Sequence, residues 1–547
     1  MPVPIACIAD GASYERHRFA FYCYPMTEPM NPDPQPRARP RRRTAVLAGV
    51  AAGAAALGTA ELLAGILPGA SSPIIAIGDT VIALQPPGAK QFVVELFGEA
   101  DKLLLTLFIA AVALVAAGAL GLLARDRPGL ARIGFAAFGL LALAASFRDP
   151  LSEPLTSFLV AAAAVGVSIA VLSRLMRLAV ERAIPAVAEM PAWGRRRFIG
   201  SSIAVIGLAA GSGILGRTLL ERGRLNAVAQ VGEVPDPVVS ASPPPTRAVL
   251  DIPGVSELVT PNTEFYRIDT ALIVPRPNLD TWRLSVTGMV DRPFELTYDE
   301  LTALPLHDQY VTIACVSNEV GGNLVGNALW RGVRLKELLE RAGVQSGATQ
   351  IVGRAVDGFT AGFPTVWALA DEREALVAVA MNGEPLPANH GFPARLIVPG
   401  LFGYVSATKW LAEIELTTLE GFDAYWVPLG WSKEGPILTQ ARLDVPRDGA
   451  RVDAGPLAVA GVAWAPDRGI SGVEVQVDEE GWVAAELSAP ISDATWVQFV
   501  HRWDASPGDH LLRVRAIDGD GEVQTDERTR PAPDGARGHH TIRVSVT

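Results

Sequence analysis

The sequence predicts a multi-domain membrane protein in which an α-helical region of five transmembrane spans precedes an α+β domain and an all-β domain. Residues 44–216 are dominated by Ala, Leu, Gly, Val and Ile, whereas the rest has the composition of a soluble chain. Beyond them, short Val, Ile, Leu and Thr runs alternate with Gly, Pro and Asp turns, which is typical of β-rich structure. The 547 residues leave room for about three or four domains.

Composition excludes several classes of protein. Hydrophobic residues make up 49% and charged residues 19% of the chain, so global disorder is excluded. A net charge of -11 argues against a nucleic-acid partner, because phosphate binding requires a basic surface. The 3 cysteines (Cys7, Cys23 and Cys315) form no Cys-x-x-Cys pair, and no histidine lies within 44–216. We therefore expect neither a haem nor an iron–sulfur cluster.

Five stretches of the amino-terminal third approach or exceed the roughly 20 apolar residues that a transmembrane helix needs. They are 44–67, 103–124, 131–147, 156–174 and 198–216. The run from Pro73 to Leu84 is shorter and contains Asp79, which indicates a surface or re-entrant segment. Arginines precede the first span and fill every second loop. In a multi-pass cell-membrane protein this pattern predicts a cytoplasmic basic segment 1–43 and an extracytoplasmic part from about 217 to 547.

The last span begins Arg195-Arg196-Arg197-Phe198-Ile199-Gly200 and continues as a weakly hydrophobic run. This pattern is similar to a twin-arginine export signal, a pathway that moves folded, cofactor-loaded domains. The alternative is an ordinary basic flank of a transmembrane helix.

The chain beyond the membrane region divides into three parts. Residues 217–250 are polar and end in Ser242-Pro243-Pro244-Pro245, which predicts a stiff, extended spacer. Residues 251–435 have an α+β pattern with one clear helix that starts at Leu335 and stops at Gly343. Residues 436–547 are predicted to be all β.

Alternating residues carry the prediction for 436–547. Val473, Val475 and Val477 alternate with polar residues and are followed by an acidic turn that closes on Gly481, a hairpin signal. Further strands are predicted at 511–517 and 541–546. An immunoglobulin-like sandwich of about 100 residues fits this spacing, and it offers no paired nucleophile and base.

Cys315 is the cysteine that lies beyond the membrane region. It ends a predicted strand and precedes the glycine-rich turn Gly321-Gly322-Asn323-Leu324-Val325-Gly326, which would let a ligand approach the backbone. A buried structural thiol is the alternative. A single thiolate is too few for zinc or iron–sulfur, but it suits a metal whose other sulfur ligands come from a cofactor.

Four segments together resemble the sulfite oxidase family of molybdopterin enzymes. They are Thr260-Pro261-Asn262-Thr263-Glu264-Phe265-Tyr266, the turn at Cys315, Trp330-x-Gly332-Val333-x-Leu335, and the long motif from Asn382 to Trp410. The resemblance covers about 251–435, and 436–547 resembles the family's dimerisation domain. It implies one molybdenum-molybdopterin per chain, a separate cytochrome or quinone-linked electron partner, and a homodimer.

The resemblance also implies roles for individual residues. Cys315 would be the protein thiolate on molybdenum. His390 and Arg395 match the pterin-binding pair, and Ser406 and Lys409 match the loop that closes on the pterin phosphate. The implied cofactor-binding set is Asn262, Thr263, Tyr266, Arg267, Cys315, Asn318, Asp357, His390, Arg395, Ser406 and Lys409.

Two departures from the family pattern bear on the substrate. Sulfite oxidases follow the asparagine of the cysteine turn with two arginines, whereas Glu319 and Val320 follow Asn318 here. Their catalytic tyrosine aligns with Trp431, with Tyr425 nearby. The implied catalytic set is therefore Cys315, Arg267, Trp431 and Tyr425, and loss of positive charge predicts weak capture of sulfite.

The sequence therefore predicts a membrane-anchored, extracytoplasmic molybdopterin oxidoreductase that uses two-electron oxygen-atom transfer to or from a small molecule. Reduction of sulfoxides by the same centre is one alternative. A cofactor-free adhesion or sensor protein that binds through its sandwich domain is the other.

Overall fold

The computed structural model describes residues 39–85, 101–181, 193–229, 234–275, 277–370 and 373–547. Most of the predicted basic segment, residues 1–38, lies outside them. Six helices cover the described part of the membrane region. They are α1 (Arg42–Ile66), α2 (Pro73–Leu84), α3 (Asp101–Ala124), α4 (Pro128–Ser146), α5 (Pro154–Glu181) and α6 (Trp193–Ala229).

Five of these described helices are long and apolar enough to cross a membrane. They are α1, α3, α4, α5 and α6, the five predicted spans, while α2 is the short apolar helix. The number and order of the apolar helices agree with the sequence prediction.

Small residues let α1 approach its neighbours closely. A Cβ placed on Gly49 would lie 2.7 Å from the Cα of Gly121 on α3, and one on Gly65 would lie 2.9 Å from the Cα of Gly216 on α6. Such contacts between small residues are a usual means of packing helices in lipid, where apolar area alone gives little preference for protein over lipid. Helix α1 therefore has both α3 and α6 as neighbours.

The segment expected to be a spacer is partly helical. Helix α6 continues past residue 216 to Ala229. The boundary expected at 216 marks a change in composition, and such a change does not by itself stop a helix. Farther on, the N–H groups of Val238 and Val239 donate to the carbonyl of Leu306 at 2.8 and 3.5 Å. Residues 238 and 239 therefore contact the part of the chain that follows the membrane region, here called the soluble region (residues 234–547).

Residues 284–417 form two sheets with short helices between their strands. The strands are β1 (Leu284–Gly288), β2 (Phe294–Leu296), β3 (His307–Ala314), β4 (Val325–Arg334), β5 (Gln350–Ala355), β6 (Thr360–Pro364), β7 (Leu376–Met381), β8 (Glu384–Pro385), β9 (Arg395–Ile397) and β10 (Leu411–Thr417). The helices are α7 (Tyr298–Thr302), α8 (Leu335–Ala342), α9 (Val366–Leu369) and α10 (Gly403–Ser406), with 3-10 turns at Ala388–His390 and Val427–Leu429.

One sheet has the strand order β2-β1-β10-β5-β6, and the other has the order β3-β4-β7-β8 with β9 paired to β7. The pair β3–β4 is antiparallel and its last pairing joins Ala314 to Val325, so Cys315 follows directly at the end of the sheet. The predicted helix is present as α8, and Gly343 stops it in the left-handed conformation at φ 71°. The mixed α/β character predicted for this region is therefore confirmed.

The carboxyl-terminal region is β-rich, as predicted. Its strands are β11 (Gln440–Val445), β12 (Ala450–Val452), β13 (Gly455–Trp464), β14 (Ile470–Val477), β15 (Val483–Ala484), β16 (Glu486–Leu487), β17 (Val497–Ala505), β18 (Gly508–Asp518) and β19 (His540–Val546). They form two sheets, in the orders β11-β13-β17-β16 and β12-β19-β18-β14-β15.

The predicted alternation places one face of β14 in the core of this region. Val473, Val475 and Val477 are buried in a cluster with Phe499 and Val514. Strands β14 and β15 pair antiparallel, which confirms the predicted hairpin.

Candidate active site

A cavity of about 720 Å³, including its open mouth, lies where the ends of several elements of residues 265–426 meet. Its wall contains five of the residues predicted for the site: Tyr266, Cys315, His390, Arg395 and Lys409. These residues are far apart in sequence, so the fold itself brings them together.

Cys315 lies at one wall of this cavity, and its residue is 7% exposed. Its N–H donates to the carbonyl of Leu324 at 2.9 Å and closes the turn after β3. The Oδ1 of Asn318 accepts from the N–H of Leu324 at 2.8 Å. Asn318 thus stabilises the turn that carries Cys315, and it is not part of the cavity wall.

The sequence suggested that the glycines of that turn let a ligand approach the backbone, but in the structure Gly321 and Gly322 have a different role. A Cβ on Gly321 would lie 2.2 Å from the ring of His540, and one on Gly322 would lie 2.5 Å from Oδ1 of Asn318. Gly321 also has φ 82°, which side chains rarely adopt. The close approach that requires glycine is made by the protein's own side chains, including one from β19, rather than by a ligand.

His390 and Arg395 form one hydrogen-bonded unit. Nε2 of His390 donates to the carbonyl of Asn262 at 2.9 Å, since a carbonyl can only accept. Nη1 of Arg395 donates to the carbonyl of His390 at 3.0 Å, and its guanidinium lies 4.9 Å from the centre of the Trp330 ring. Burial lowers the pKa of His390 to about 4, so the imidazole is neutral at pH 7.

Arg395 is a buried cation with a hydrogen-bonding group left over. The residue is 4% exposed, and burial lowers its pKa to about 10. Its Nε has no hydrogen-bond partner among the described residues. A buried, unsatisfied donor of this kind is costly unless a ligand accepts from it.

Tyr266 is a phenol of the cavity wall next to the cysteine. Burial and the nearby charge of Cys315 raise its pKa well above the usual value. The phenol therefore stays protonated at neutral pH and can donate a hydrogen bond into the cavity. Its ring stacks on Phe265 with 5.3 Å between centroids.

Asp269 accepts hydrogen bonds from three cations. Lys409 contacts Oδ2 at 2.8 Å, Arg267 contacts Oδ2 at 2.9 Å, and Lys102 contacts Oδ1 at 2.5 Å. Although burial acts in the opposite direction, the three cations hold the pKa of Asp269 far below its usual range. Asp269 lines the cavity, whereas Arg267 is committed to this ion pair and lies outside the wall.

Several other predicted residues lie behind or beside the wall. Nδ2 of Asn262 donates to the carbonyl of Met381 at 3.2 Å, and Thr263 is exposed. Ser406 donates to the carbonyl of Phe402 at 3.0 Å. Oδ1 of Asp357 accepts from the N–H of Phe359 at 3.1 Å, and burial raises the pKa of this carboxyl.

The two predicted catalytic aromatics form a second layer. Trp431 packs on Tyr404 and Trp426, with centroids 5.9 and 6.0 Å apart. Tyr425 packs on Trp426 and on Phe359 at 5.1 and 5.5 Å. Their partners Tyr404, Trp426 and Phe359 line the cavity, while Trp431 and Tyr425 do not.

Several wall residues were not predicted from the sequence, although a sequence signal was available for two of them. Tyr404 stands in the long motif that was already singled out, between Gly403 and Ser406. Asp269 follows the predicted binding residue Arg267 by two positions, a spacing that suggests an ion pair. No local pattern marks Phe359 or Trp426.

Comparison with known proteins agrees with this geometry. The family model "Oxidoreductase molybdopterin binding domain" matches residues 271–426. The "Uncharacterized oxidoreductase YuiH" of Bacillus subtilis is 34% identical over 173 residues, which is 32% of this chain and 83% of that protein. Mitochondrial sulfite oxidase of Mus musculus is 31% identical over 274 residues, 42% of this chain and 49% of the mouse protein. The chain thus spans about half the length of the mouse enzyme.

Among solved structures, the sulfane dehydrogenase SoxCD from Paracoccus pantotrophus matches with a TM-score of 0.47 and 23% identity. The match covers 53% of this chain and 82% of that one.

The fold and the cavity thus define a molybdopterin-binding oxidoreductase. The chain belongs to the sulfite oxidase family of molybdopterin-dependent enzymes. Membership of this family implies a molybdenum-molybdopterin cofactor, and it favours an enzyme over the adhesion or sensor alternative.

The residues of the cavity fit that group. Cys315 offers a soft ligand for the metal, while Arg395 and Lys409 offer cationic donors for an anionic phosphate. The Nε of Arg395, which is without a hydrogen-bond partner among the described residues, is a donor that such an acceptor would satisfy. Within the described residues, no group of three or more His, Cys, Asp or Glu could hold a metal ion.

Proposed function

We propose that the chain is a membrane-anchored, extracytoplasmic oxidoreductase in which Cys315 ligates molybdenum and an oxygen atom is transferred to or from a small molecule. The observation that carries the proposal is that Cys315, His390 and Arg395 line one cavity, with Nε of Arg395 still unsatisfied. When bound, the cofactor supplies a metal that exchanges an oxygen atom and two electrons with a substrate.

The roles of the chain's own residues follow from their positions in the cavity. Arg395 and Lys409 hold the anionic part of the cofactor. His390 is held neutral, so it binds by a directed hydrogen bond rather than by charge. Tyr266, protonated and beside Cys315, donates a hydrogen bond to an oxygen atom of the substrate.

Oxidation is the leading direction. The substrate gains one oxygen atom from water and releases two protons and two electrons, which a separate cytochrome or quinone-linked partner accepts.

Sulfoxide reduction is the second candidate, and the apolar part of the cavity wall is compatible with it. Phe265, Ile313, Phe359 and Trp426 give the wall apolar and aromatic surface, and Arg267 is held outside the wall in an ion pair with Asp269. Such a wall suits an uncharged substrate. In this direction a sulfoxide accepts two protons from water and two electrons from the separate cytochrome or quinone-linked partner, and it yields a sulfide and water, with the phenol of Tyr266 hydrogen-bonded to the departing oxygen.

The helix arrangement supports the proposed orientation. Arg39 pairs with Asp126 at 2.9 Å at one end of the bundle, whereas Lys102 contacts the soluble region at the other end. The arginine-rich end is the end expected in the cytoplasm. We further propose that residues 436–547, two packed sheets, form the immunoglobulin-like domain through which two copies associate.

The test uses the full chain purified from membranes in detergent. We expect about one molybdenum and one pterin per chain by metal analysis and pterin fluorescence. Ferricyanide reduction with sulfide-type substrates and oxidation of reduced viologen with sulfoxides then separate the two directions. Absence of both metal and pterin from protein made in a molybdenum-replete host would contradict the proposal.

A further inference from the structure

The soluble region contacts the membrane region at residues 269–272, next to the wall of the cavity. Nζ of Lys102, in the first turn of α3, contacts Asp269 and also donates to the carbonyl of Ala271 at 2.7 Å. Oδ1 of Asp79 on α2 accepts from the N–H of Leu272 at 3.3 Å. Asp269 is itself part of the cavity wall, so a membrane helix reaches a residue of the site.

The two carboxylate oxygens of Asp269 have different cationic partners. Its side chain is 3% exposed, so almost all of its surface is covered by protein. Lys102 occupies Oδ1, and Lys409 and Arg267 share Oδ2. Nζ of Lys409 also donates to the carbonyl of Asn389 at 3.3 Å, which leaves one of the three N–H donors of the ammonium for a ligand in the cavity.

From this arrangement we propose that Lys102 is a positioning residue of the cofactor site, supplied by the membrane region. The inference rests on the proposed function, in which Lys409 faces the anionic phosphate of the cofactor. Lys102 acts through Asp269 and does not itself touch the cofactor.

Two physical effects make Lys102 matter. Three cations and one carboxylate leave the cluster with a net charge of +2, and removal of Lys102 reduces it to +1. An anionic ligand is then held less strongly, because charges near a buried site are poorly screened. Removal also frees Oδ1, so Lys409 or Arg267 can pair more fully with Asp269 and Lys409 is drawn away from the ligand.

The inference predicts that the site is complete only when the membrane region is present and correctly docked. The membrane helices would then do more than anchor the enzyme, since they would contribute to how long the enzyme keeps its cofactor.

The experiment compares full-length Lys102→Met, Lys102→Gln and Lys102→Arg with wild type, each purified from membranes as monodisperse protein. Pterin per chain is measured by fluorescence after acid release, at intervals during dilution, together with the molybdenum content. We expect Lys102→Met to lose pterin about fivefold faster than wild type. Lys102→Gln, which keeps a donor but no charge, should be intermediate, and Lys102→Arg should behave as wild type.

Arg39→Met is the matched control, because it removes a cation from an exposed ion pair between the segments that flank α1 and α3 at the opposite end of the bundle. It should retain pterin as wild type does. Equal pterin loss from wild type and Lys102→Met, or equally fast loss from Arg39→Met, would overturn the inference and leave the proposed function standing. Wild-type protein without pterin would instead overturn the proposed function and this inference with it.

Discussion

Nη1 of Arg395 donates a hydrogen bond to the main-chain carbonyl of His390 at 3.0 Å. Of the two side chains predicted to bind the pterin, one therefore fixes the backbone that carries the other. His390 is held in turn by the carbonyl of Asn262, a residue outside the cavity wall. The binding face is thus a connected unit of three segments, and a change at one of them should be felt at the others.

Cys315→Ser should abolish oxidoreductase activity, with a loss of at least about 100-fold, because a hydroxyl is a poor ligand for a soft metal. The thermal unfolding temperature should remain close to that of wild type, since the exchange is nearly isosteric. Activity with an artificial electron acceptor and unfolding by circular dichroism measure both. Cys23→Ser, the same exchange at a cysteine outside the described residues, serves as the control. Wild-type turnover in Cys315→Ser would refute the ligand assignment.

Arg395→Met should lower cofactor occupancy about tenfold or more, because a charged donor to an anionic group is lost. The cofactor-free form should behave differently. A buried guanidinium with an unsatisfied Nε destabilises the empty site, so the apo variant should unfold at the same temperature as apo wild type or about 2–4 °C higher. Pterin content measures the predicted loss of cofactor, and calorimetry of the apo proteins measures the predicted unfolding temperature. An apo variant much less stable than wild type would show that Arg395 is chiefly structural.

Cofactor retention should fall as the pH rises through about 8. Burial lowers the pKa of Lys409 to about 8 despite the opposing effect of Asp269. Below that pH the side chain is an ammonium and attracts the phosphate, and above it the charge is lost. His390 does not titrate in this range, because its pKa is about 4. The rate of pterin release between pH 7 and 9 is the measurement, and Lys409→Arg should remove the dependence by keeping its charge.

Sulfite should be a poor substrate. Arg267 is paired with Asp269, and Glu319 and Val320 replace the arginine pair that follows the asparagine in sulfite oxidases. An anionic substrate therefore meets few uncommitted cations beyond those assigned to the cofactor. Steady-state kinetics on molybdenum-loaded enzyme decide the matter. A kcat/KM for sulfite of about 10⁶ M⁻¹s⁻¹ or more, typical of efficient enzymes, would contradict this expectation.

Replacement of Arg195 and Arg196 by lysine should leave the first four spans inserted and strand residues 217–547 in the cytoplasm. The twin-arginine pathway requires the arginine pair, whereas the positive-inside rule counts lysine and arginine alike. Protease accessibility in intact cells reports the location of the domain. Arg174→Lys with Arg177→Lys, on α5, is the matched control. Normal exposure of the domain in the double mutant at 195 and 196 would reduce the motif to a basic flank.

The sequence was most informative where one local pattern determines the structure. Continuous apolar runs marked the five long helices, and the alternation of Val473, Val475 and Val477 marked a strand with one buried face. The cysteine, His390 and Arg395 were found through a family motif, and they do line one cavity.

Local sequence patterns did not predict the surroundings of residues that are placed by tertiary contacts. The hydrogen bond between the side chains of Lys102 and Asp269 joins residues 167 positions apart, and the periodicity of apolar residues in the sequence does not reveal it. The placement of Trp431 behind Tyr404 and Trp426 follows from side-chain packing rather than from alignment with a tyrosine. The glycines after Cys315 suggested ligand contact because a sequence does not show that the ring of His540 fills that space.

The packing of Gly321 against His540 has a consequence for the order of events during biosynthesis. The same imidazole accepts from the N–H of Leu443 through Nδ1 at 3.0 Å, so it joins the cysteine turn to β11 and β19. A nascent chain that has not yet released residue 540 from the ribosome lacks this ring. The turn that carries Cys315 thus gains its contact with His540 only after translation has passed β19, and we expect the proposed metal site to be complete only after that point.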